Sequence, residues 1–70
     1  MLGFPTLVSI PSRDKITIGI MVQIILKKDQ HTGQLTDGMV KRILTSSSNH
    51  PHGIKVELMD GKIGRVQNIL

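Results

Sequence analysis

From residue 16 onward the chain consists of short apolar runs separated by clusters of Gly, Asp, Asn and Pro. This spacing is typical of the strands of a small barrel or sandwich. No apolar stripe with a helical period of useful length interrupts the pattern. The order of apolar and polar positions therefore predicts an all-β domain.

The clearest alternation lies in the run MVQIILK, residues 21–27. Successive side chains of a strand point to opposite faces, so the run predicts a strand with one mostly buried side. The predicted buried face carries Val22, Ile24 and Leu26, and the other face carries Gln23, Ile25 and Lys27.

A connection rich in turn formers follows at residues 28–38, KDQHTGQLTDG. Gly33 and Gly38 are predicted to adopt positive φ there, and Asp29 or Asp37 to bond neighbouring backbone amides. In the next run, GMVKRILT at residues 38–45, strict alternation fails. A bent strand whose exposure changes along its length accommodates this run better than a flat one.

The strongest local signal is IKVELMDGKIGRVQ, residues 54–67. Asp60 and Gly61 predict a two-residue type I′ turn between two strands. With that turn Val56 would lie opposite Arg65, and Val66 would fall on the polar side. We therefore expect a bulge at Gly64 that turns Arg65 outward and Val66 inward.

Four or five short strands, with glycines at the corners and no room for a crossover helix, predict a small SH3-like antiparallel barrel. A five-stranded OB-like barrel is the main alternative, although its strands usually run longer. The expected organisation is an irregular N-terminal arm at residues 1–13, followed by a single small β-barrel domain at residues 14–70.

Composition supports this fold, since ten Ile and five Val stand against no Ala and a single Glu. There is no cysteine to form a disulfide or a thiolate zinc site. No segment reaches the roughly 18 to 20 apolar residues that cross a bilayer. The opening run lacks a charged n-region and is interrupted by Pro5 and Pro11, so we expect a cytoplasmic protein with no membrane partner.

The motifs DQ-x-TG-x-LT-x-G-x-V-x-x-IL, HPHGIKV and DG-x-x-GRVQ, within residues 27–69, closely resemble the small bacterial and archaeal YwbE-like proteins, a family of unknown function. The resemblance extends from about residue 14 onward and implies no activity. A weaker resemblance links DGMVKRIL to the KOW motif of SH3-like barrels in ribosomal proteins and transcription factors. By fold analogy it implies contact with RNA or a ribosome.

The loop SSSNHPHG, residues 46–53, raises the question of a metal or catalytic site. Zinc needs three or four ligands, whereas His50 and His52 flank Pro51 at a spacing that points extended side chains apart, and His31 is the only other imidazole. Nucleophilic catalysis needs an oriented base in a pocket, and a small barrel offers little concavity. We expect no metal, no cofactor, no catalytic residues and no enzymatic activity.

A shaped loop is the remaining interpretation of this segment. Its Ser and Asn side chains can cap their own backbone amides, Pro51 stiffens the path, and Gly53 permits a positive-φ turn into the next strand. Such a loop can serve structure alone. It can also offer hydroxyls, imidazoles and amides to phosphate oxygens.

The formal net charge of +4 and the sequence pI of about 10.0 favour acidic partners, although a solvated basic face is the simpler alternative. The lack of Tyr, Trp and a second Phe favours structured RNA or a duplex over stacked single strands. We therefore predict contact with RNA or a ribonucleoprotein. A protein-interaction module that uses a strand edge or the apolar arm at residues 2–10 is the alternative. The predicted nucleic-acid-binding residues are Lys41, Arg42, Lys55, Arg65, Ser47, His50 and His52.

Overall fold

The computed structural model describes residues 10–70, which form an all-β fold. Its four strands pair in chain order, and the last pairs with the first, so that an antiparallel barrel closes. The predicted small SH3-like barrel is thereby confirmed, with four strands. These are β1 (Met21–Leu26), β2 (Thr36–Ile43), β3 (Lys55–Leu58) and β4 (Ile63–Ile69), with 3-10 turns at Arg13–Lys15 and Lys27–Asp29.

The barrel interior is purely apolar, and no polar side chain of the described residues is buried with it. Fully burying a side chain of this size contributes about 1.5 to 3 kcal/mol before the entropy cost of folding. A core this small leaves a narrow stability margin. Its members come from all four strands and two flanking positions: Ile16, Val22, Ile24, Val40, Ile54, Val56, Leu58 and Val66.

Strand β1 confirms the predicted alternation, with Val22 and Ile24 fully buried. The connection after it is shorter than predicted, because β2 begins at Thr36. Gly33 has the predicted positive φ of 77°, whereas Gly38 does not and lies within the strand. A side chain at Gly38 would collide with Leu58, so this glycine is needed for close packing across the barrel and not for a turn.

The predicted bend in β2 is confirmed by a shift in its pairing with β3 between Val40 and Arg42. Lys41 lies at this irregularity, and the side chains of Lys41 and Arg42 are both exposed. An extra residue at a bulge changes which face the following side chains occupy, which explains why alternation fails in the sequence here.

The hairpin between β3 and β4 differs from the prediction. Leu58 N–H donates to Lys62 O at 2.8 Å and Gly61 N–H to Leu58 O at 2.9 Å, so the loop has three residues and not two. Gly61, at φ 95°, takes the left-handed position expected in such a loop. The added residue places Val56 opposite Gly64 and so brings the two strands into phase.

The expected bulge at Gly64 in this hairpin is therefore wrong, although its expected result is present: Val66 is buried and Arg65 faces outward. The pairing of β1 with β4 shifts between Gln23 and Ile24 instead. A side chain on Gly64 would collide with the backbone oxygen of Ile25, so the glycine lets β1 and β4 approach.

Ahead of the barrel, the first 3-10 turn lies against the long β2–β3 loop. Arg13 N–H donates to Ser48 O at 2.8 Å, and Arg13 Nε donates to Thr45 O at 2.8 Å. Residues 1–9 of the expected arm lie outside the described residues, and the division at residue 13 stays a prediction. In the part of the chain that the structure describes, no helix has the length and apolar character needed to cross a bilayer.

Candidate functional site

The HPHG segment is a tight turn held against β4. Gly53 N–H donates to His50 O at 3.0 Å, and Gly53 has a φ of 101°, as predicted. Gln67 Nε2 donates to His52 O at 3.0 Å, and Val66 N–H donates to Ile54 O at 2.9 Å. A side chain at Gly53 would collide with the backbone oxygen of Val66, so only glycine allows the turn to approach β4 this closely.

The two loop imidazoles lie side by side, contrary to the expectation that their spacing would point them apart. Their ring centroids are 5.8 Å apart with the planes tilted by 45°. His52 N–H donates to His50 Nδ1 at 3.1 Å, which requires an unprotonated Nδ1 and places the proton of the neutral ring on Nε2. Among residues 10–70, no three His, Cys, Asp or Glu side chains are grouped to hold a metal ion.

Ser47 is exposed on the same loop and does not line the basic surface beside β4. Its hydroxyl donates to Asn49 O at 3.2 Å, so it does not cap a backbone amide as expected. The amide-capping role in this loop belongs to His50 instead, through the bond to His52 N–H.

Arg65 and Lys55 are directly opposite each other on the outer face of β4 and β3. Arg65 is half-buried, and its Nη1 donates to Gly53 O at 3.3 Å and to Thr45 Oγ1 at 3.5 Å. Thr45 Oγ1 also accepts the backbone N–H of Lys55 at 2.8 Å. These two long contacts orient the guanidinium of Arg65 toward the loop, on the face that also carries Lys55.

On its other side Arg65 pairs with Ile25 of β1. Two adjoining depressions of about 250 and 380 Å³ meet at this point, and both are lined by Ile25, Gln30 and Arg65. We call the combined surface the basic groove. Its lining contains three long cations and no carboxylate among the described residues. The full lining is Ile10, Ile25, Lys27, Gln30, Pro51, His52, Lys55, Ile63, Gly64, Arg65 and Gln67.

The structure separates the seven predicted residues into groups. Lys55, Arg65 and His52 line the basic groove, and His50 adjoins it. The other three lie outside its lining: Lys41 and Arg42 on β2, and Ser47 on the loop.

Arg42 also has a partner of its own, since its Nε lies 3.3 Å from Glu57 Oε1 on β3. Exposed ion pairs of this kind contribute about 0 to 1 kcal/mol. The charge of Arg42 is partly compensated, whereas Lys55 and Arg65 face each other.

The environment of His50 disfavours its protonation. Partial burial lowers the pKa of His50 from its ordinary value, and the positive charges of Arg65 and His52 lower it further. Burial is the largest cause, and the nearby cations act in the same direction because they resist protonation of the imidazole.

The profile of a protein family described as "Uncharacterized conserved protein (DUF2196)" matches residues 9–69. The chain belongs to the DUF2196 family. It is also 60% identical over 58 residues to "Uncharacterized protein YwbE" of Bacillus subtilis (strain 168), which covers 83% of this chain and 89% of the relative. No solved structure matches the chain significantly.

Membership of the DUF2196 family confirms the YwbE-like resemblance seen in the sequence. The resemblance to the KOW motif stays a prediction. The description of the DUF2196 family names no activity, so any function must be argued from the geometry of this chain.

Three polar or charged side chains of the groove were missed by the sequence analysis: Lys27, Gln30 and Gln67. Lys27 and Gln30 follow β1 and reach the groove only because β4 closes onto β1. Local alternation carries no signal for that long-range contact. Gln67 lies beside a shift in the β1–β4 pairing, where alternation gives no firm assignment.

Proposed function

We propose that this chain is a non-enzymatic binding module that contacts RNA or a ribonucleoprotein through the basic groove. The observation that supports it is the opposition of Lys55 and Arg65 on adjacent strands. Like charges directly opposite each other in a sheet destabilise it, by up to about 1 kcal/mol by analogy with other cross-strand pairs. A phosphate between the two side chains would relieve this repulsion.

The guanidinium of Arg65 is partly oriented before a ligand arrives. Only one of its nitrogens, Nη1, contacts Gly53 and Thr45. A guanidinium has five N–H donors in a planar fork, which leaves donors for a phosphate group. Arginine fixed in this way loses less conformational entropy on binding.

The remaining lining is also suited to a phosphate backbone. Lys27 adds a third cation, and Gln30 and Gln67 add neutral amides. Phosphate contacts bind and position a nucleic acid without reading its sequence. The absence of Tyr and Trp from the chain argues against a stacking platform, so structured RNA is the favoured ligand.

Lys41 and Arg42 extend the proposed surface onto β2. Arg42 would have to exchange its carboxylate partner Glu57 for a phosphate, which reduces its net contribution. His50 and His52 would provide further polar contacts at the loop edge of the groove. Ser47 lies outside the groove lining and would contribute only if the ligand extends along the loop.

A protein-interaction module is the second candidate. The barrel leaves none of the strands within residues 10–70 with an unpaired side, so pairing with a partner strand has little structural support. The apolar arm at residues 2–10 lies almost entirely outside the described residues.

The test is an amide chemical-shift titration of the labelled chain with a short RNA hairpin and a matching DNA duplex, at low and at physiological salt. We expect shifts in Lys55, Arg65 and the loop at residues 50–53 that persist at physiological salt. The double variant Lys55→Gln, Arg65→Gln should lose affinity for all sequences. Its salt dependence should flatten by about 0.7 to 0.9 per lost phosphate contact.

The matched control removes the same formal charge at Lys15 and Lys62, which lie outside the groove lining. Lys62 Nζ is already paired with Asp60 Oδ2 at 2.7 Å. If both double variants weaken binding equally, net charge and not the groove determines affinity, and the proposal is wrong.

A further inference from the structure

Gln67 occupies a bulge of β4, at the point where the pairing with β1 shifts. The residues on either side of it pair with consecutive residues of β1: Val66 with Ile24, and Asn68 with Gln23. Gln67 is therefore the extra residue, with no partner on β1. Such a residue bends its strand and redirects a side chain, and bulges are frequent next to functional sites. Here the side chain of Gln67 lines the basic groove.

The side-chain amide of Gln67 has a defined orientation. Its Nε2 donates to His52 O at 3.0 Å and to Arg65 O at 3.3 Å. An amide nitrogen carries two hydrogens and both of these partners are carbonyl oxygens, so the nitrogen and the oxygen of the side chain cannot be exchanged. The two donors are used, and Oε1 accepts no hydrogen bond from any group within residues 10–70.

Two other glutamines show how this amide differs. Gln23 is bonded at both ends, since its Nε2 donates to Asp37 Oδ1 and its Oε1 accepts from Asn68 Nδ2. Gln30 lines the same groove as Gln67, but it is exposed and its side chain makes no hydrogen bond to the described residues. Among the glutamines that the structure describes, Gln67 is the one that combines bonded donors with an open acceptor.

An open acceptor does not suit the phosphate that the proposed function assigns to the groove. Phosphodiester oxygens only accept hydrogen bonds, so Lys27, Lys55 and Arg65 can donate to them, whereas Gln67 Oε1 would repel them. The backbone of RNA also offers a donor, which is the 2′-hydroxyl of ribose, and deoxyribose lacks this group. The acceptor is therefore complementary to the sugar of RNA.

We propose that Gln67 Oε1 accepts a hydrogen bond from a ribose 2′-hydroxyl and so makes the basic groove selective for RNA over DNA. The inference rests on the proposed function, because it requires a phosphate bound in the groove beside the sugar. Arg65 and Gln67 are two positions apart on β4, so their Cα atoms are separated by roughly 7 Å. The 2′-hydroxyl lies on the carbon next to the one that carries the 3′-phosphate. A phosphate on Arg65 therefore brings the hydroxyl of the same nucleotide close to Gln67.

The two depressions of the groove are suited to the two halves of a nucleotide backbone. The depression of about 380 Å³ is lined by the three cations Lys27, Lys55 and Arg65. The depression of about 250 Å³ shares Arg65 but contains Gln67, together with the apolar side chains of Ile25 and Pro51. A phosphate in the first and its ribose in the second would satisfy the donors and the acceptor together, with the C–H groups of the sugar against apolar side chains.

The first test compares two RNA hairpins of one sequence, one with 2′-hydroxyl and one with 2′-fluoro groups. Fluorine keeps the A-form geometry of the helix but cannot donate a hydrogen bond, so the hairpins differ in the donor and not in their phosphates. We expect the full chain to bind the hydroxyl hairpin about 2- to 12-fold more tightly at physiological salt, the range for one neutral hydrogen bond. The salt dependence of binding should be the same for both hairpins.

Two variants then test which residue carries the preference. Gln67→Met removes Oε1 at a similar side-chain length and should abolish the preference while leaving the salt dependence unchanged. Gln30→Met is the matched control, because it removes the same amide from the same groove, and it should keep the full preference. Amide resonances of His52 and Arg65 monitor whether the turn stays in place without its bond from Gln67.

A direct measurement needs no variant. The side-chain amide resonances of Gln67 in the labelled full chain should shift on addition of the hydroxyl hairpin and stay in place with the fluoro hairpin at equal saturation. Those of Gln30 should not distinguish the two hairpins.

The outcomes separate this inference from the proposed function. Equal affinity for the two hairpins would overturn the inference and leave the proposed function standing. Binding of neither hairpin would overturn both. A preference that survives in Gln67→Met, or that Gln30→Met loses equally, would assign recognition of the 2′-hydroxyl to another residue and would also overturn the inference.

Discussion

The two ends of strand β1 present opposite chemistry on one barrel. Its first residue, Met21, lies in a row of exposed apolar side chains with Met39, Met59 and Leu70, which we call the methionine row. At the other end, Ile25 and the nearby Lys27 line the basic groove. About four residues separate Met21 from Ile25, or roughly 13 Å along the strand. Both surfaces rest on the same buried side chains, Val22 and Ile24.

This arrangement shows how a small barrel can separate two roles. Inward positions are committed to the core, so only the outward positions are free to differ along a strand. The groove end carries two cations, Lys55 and Arg65, that repel each other. The other end carries apolar side chains that are exposed to water. Each end is suboptimal for an isolated domain, and binding of a polyanion would relieve the repulsion at the groove end.

Removing part of the shared core should disrupt both ends together. Ile24→Ala should lower the free energy of unfolding by about 2 to 5 kcal/mol, because Ile24 is fully buried between the two surfaces. Urea denaturation followed by circular dichroism measures this change. Ile63→Ala, at a side chain that is 44% exposed, should cost far less. Equal losses in the two variants would contradict the assigned core.

Disturbing the HPHG turn should damage the groove end more than the row. Gly53→Ala places a methyl group against Val66 O at a φ of 101°. Gly61→Ala is the matched control, because Gly61 has a φ of 95° but open space around it. We expect Gly53→Ala to be less stable than the control by about 1 to 3 kcal/mol, the cost of overpacking.

Amide spectra of the two glycine variants test where the damage lies. In Gly53→Ala, shifts should concentrate on His50, His52 and Arg65 and spare Met21 and Met39. Similar stability in both variants would mean that the turn tolerates a side chain and that its contact with β4 is loose.

The fold could be predicted from the sequence because it depends on the local alternation of apolar and polar residues. The alternation of β1 and the turn glycines Gly33 and Gly53 are read correctly from neighbouring residues. The role of Gly38 was not predicted correctly, because this glycine makes room for Leu58 across the barrel. In a sequence, a glycine needed for packing cannot be distinguished from one needed for a turn.

The candidate site was harder to predict from the sequence because it depends on the register between β3 and β4. A two-residue turn at Asp60 places Val56 opposite Arg65, whereas the three-residue loop places Lys55 there. A shift of one residue thus creates the cation pair on which the proposed function depends. The local order of apolar and polar residues likewise does not predict the pairing of β4 with β1, which brings Lys27 to the groove.

Removing one member of the cation pair should change stability and binding in opposite directions. Lys55→Gln should raise the free energy of unfolding by about 0.2 to 1 kcal/mol, since it relieves repulsion across the strands. The same variant should bind an RNA hairpin more weakly. Urea denaturation and a salt-dependent titration measure the two effects. A variant that loses stability would show that Lys55 and Arg65 do not repel each other.

The smallest expected effect is a pH dependence confined to the groove end. Burial and the charges of Arg65 and His52 lower the pKa of His50 in the folded chain, so the unfolded chain binds more protons as the pH falls. The stabilising contribution of neutral His50 is therefore present above the ordinary histidine pKa of about 6.5 and is lost as the pH falls through the lower folded value. His50→Asn should flatten this dependence between about pH 7 and pH 5.

A bound polyanion should raise the pKa of His50, because phosphate charge offsets that of Arg65. The ring resonances of His50, followed by NMR from pH 8 to pH 5 with and without an RNA hairpin, measure the change. Since no methionine titrates, the methyl resonances of Met21, Met39 and Met59 should show no matching transition. An unchanged His50 pKa in the complex would place the ligand away from Arg65, and an accompanying transition at the methionines would mean that the two ends of the barrel are coupled.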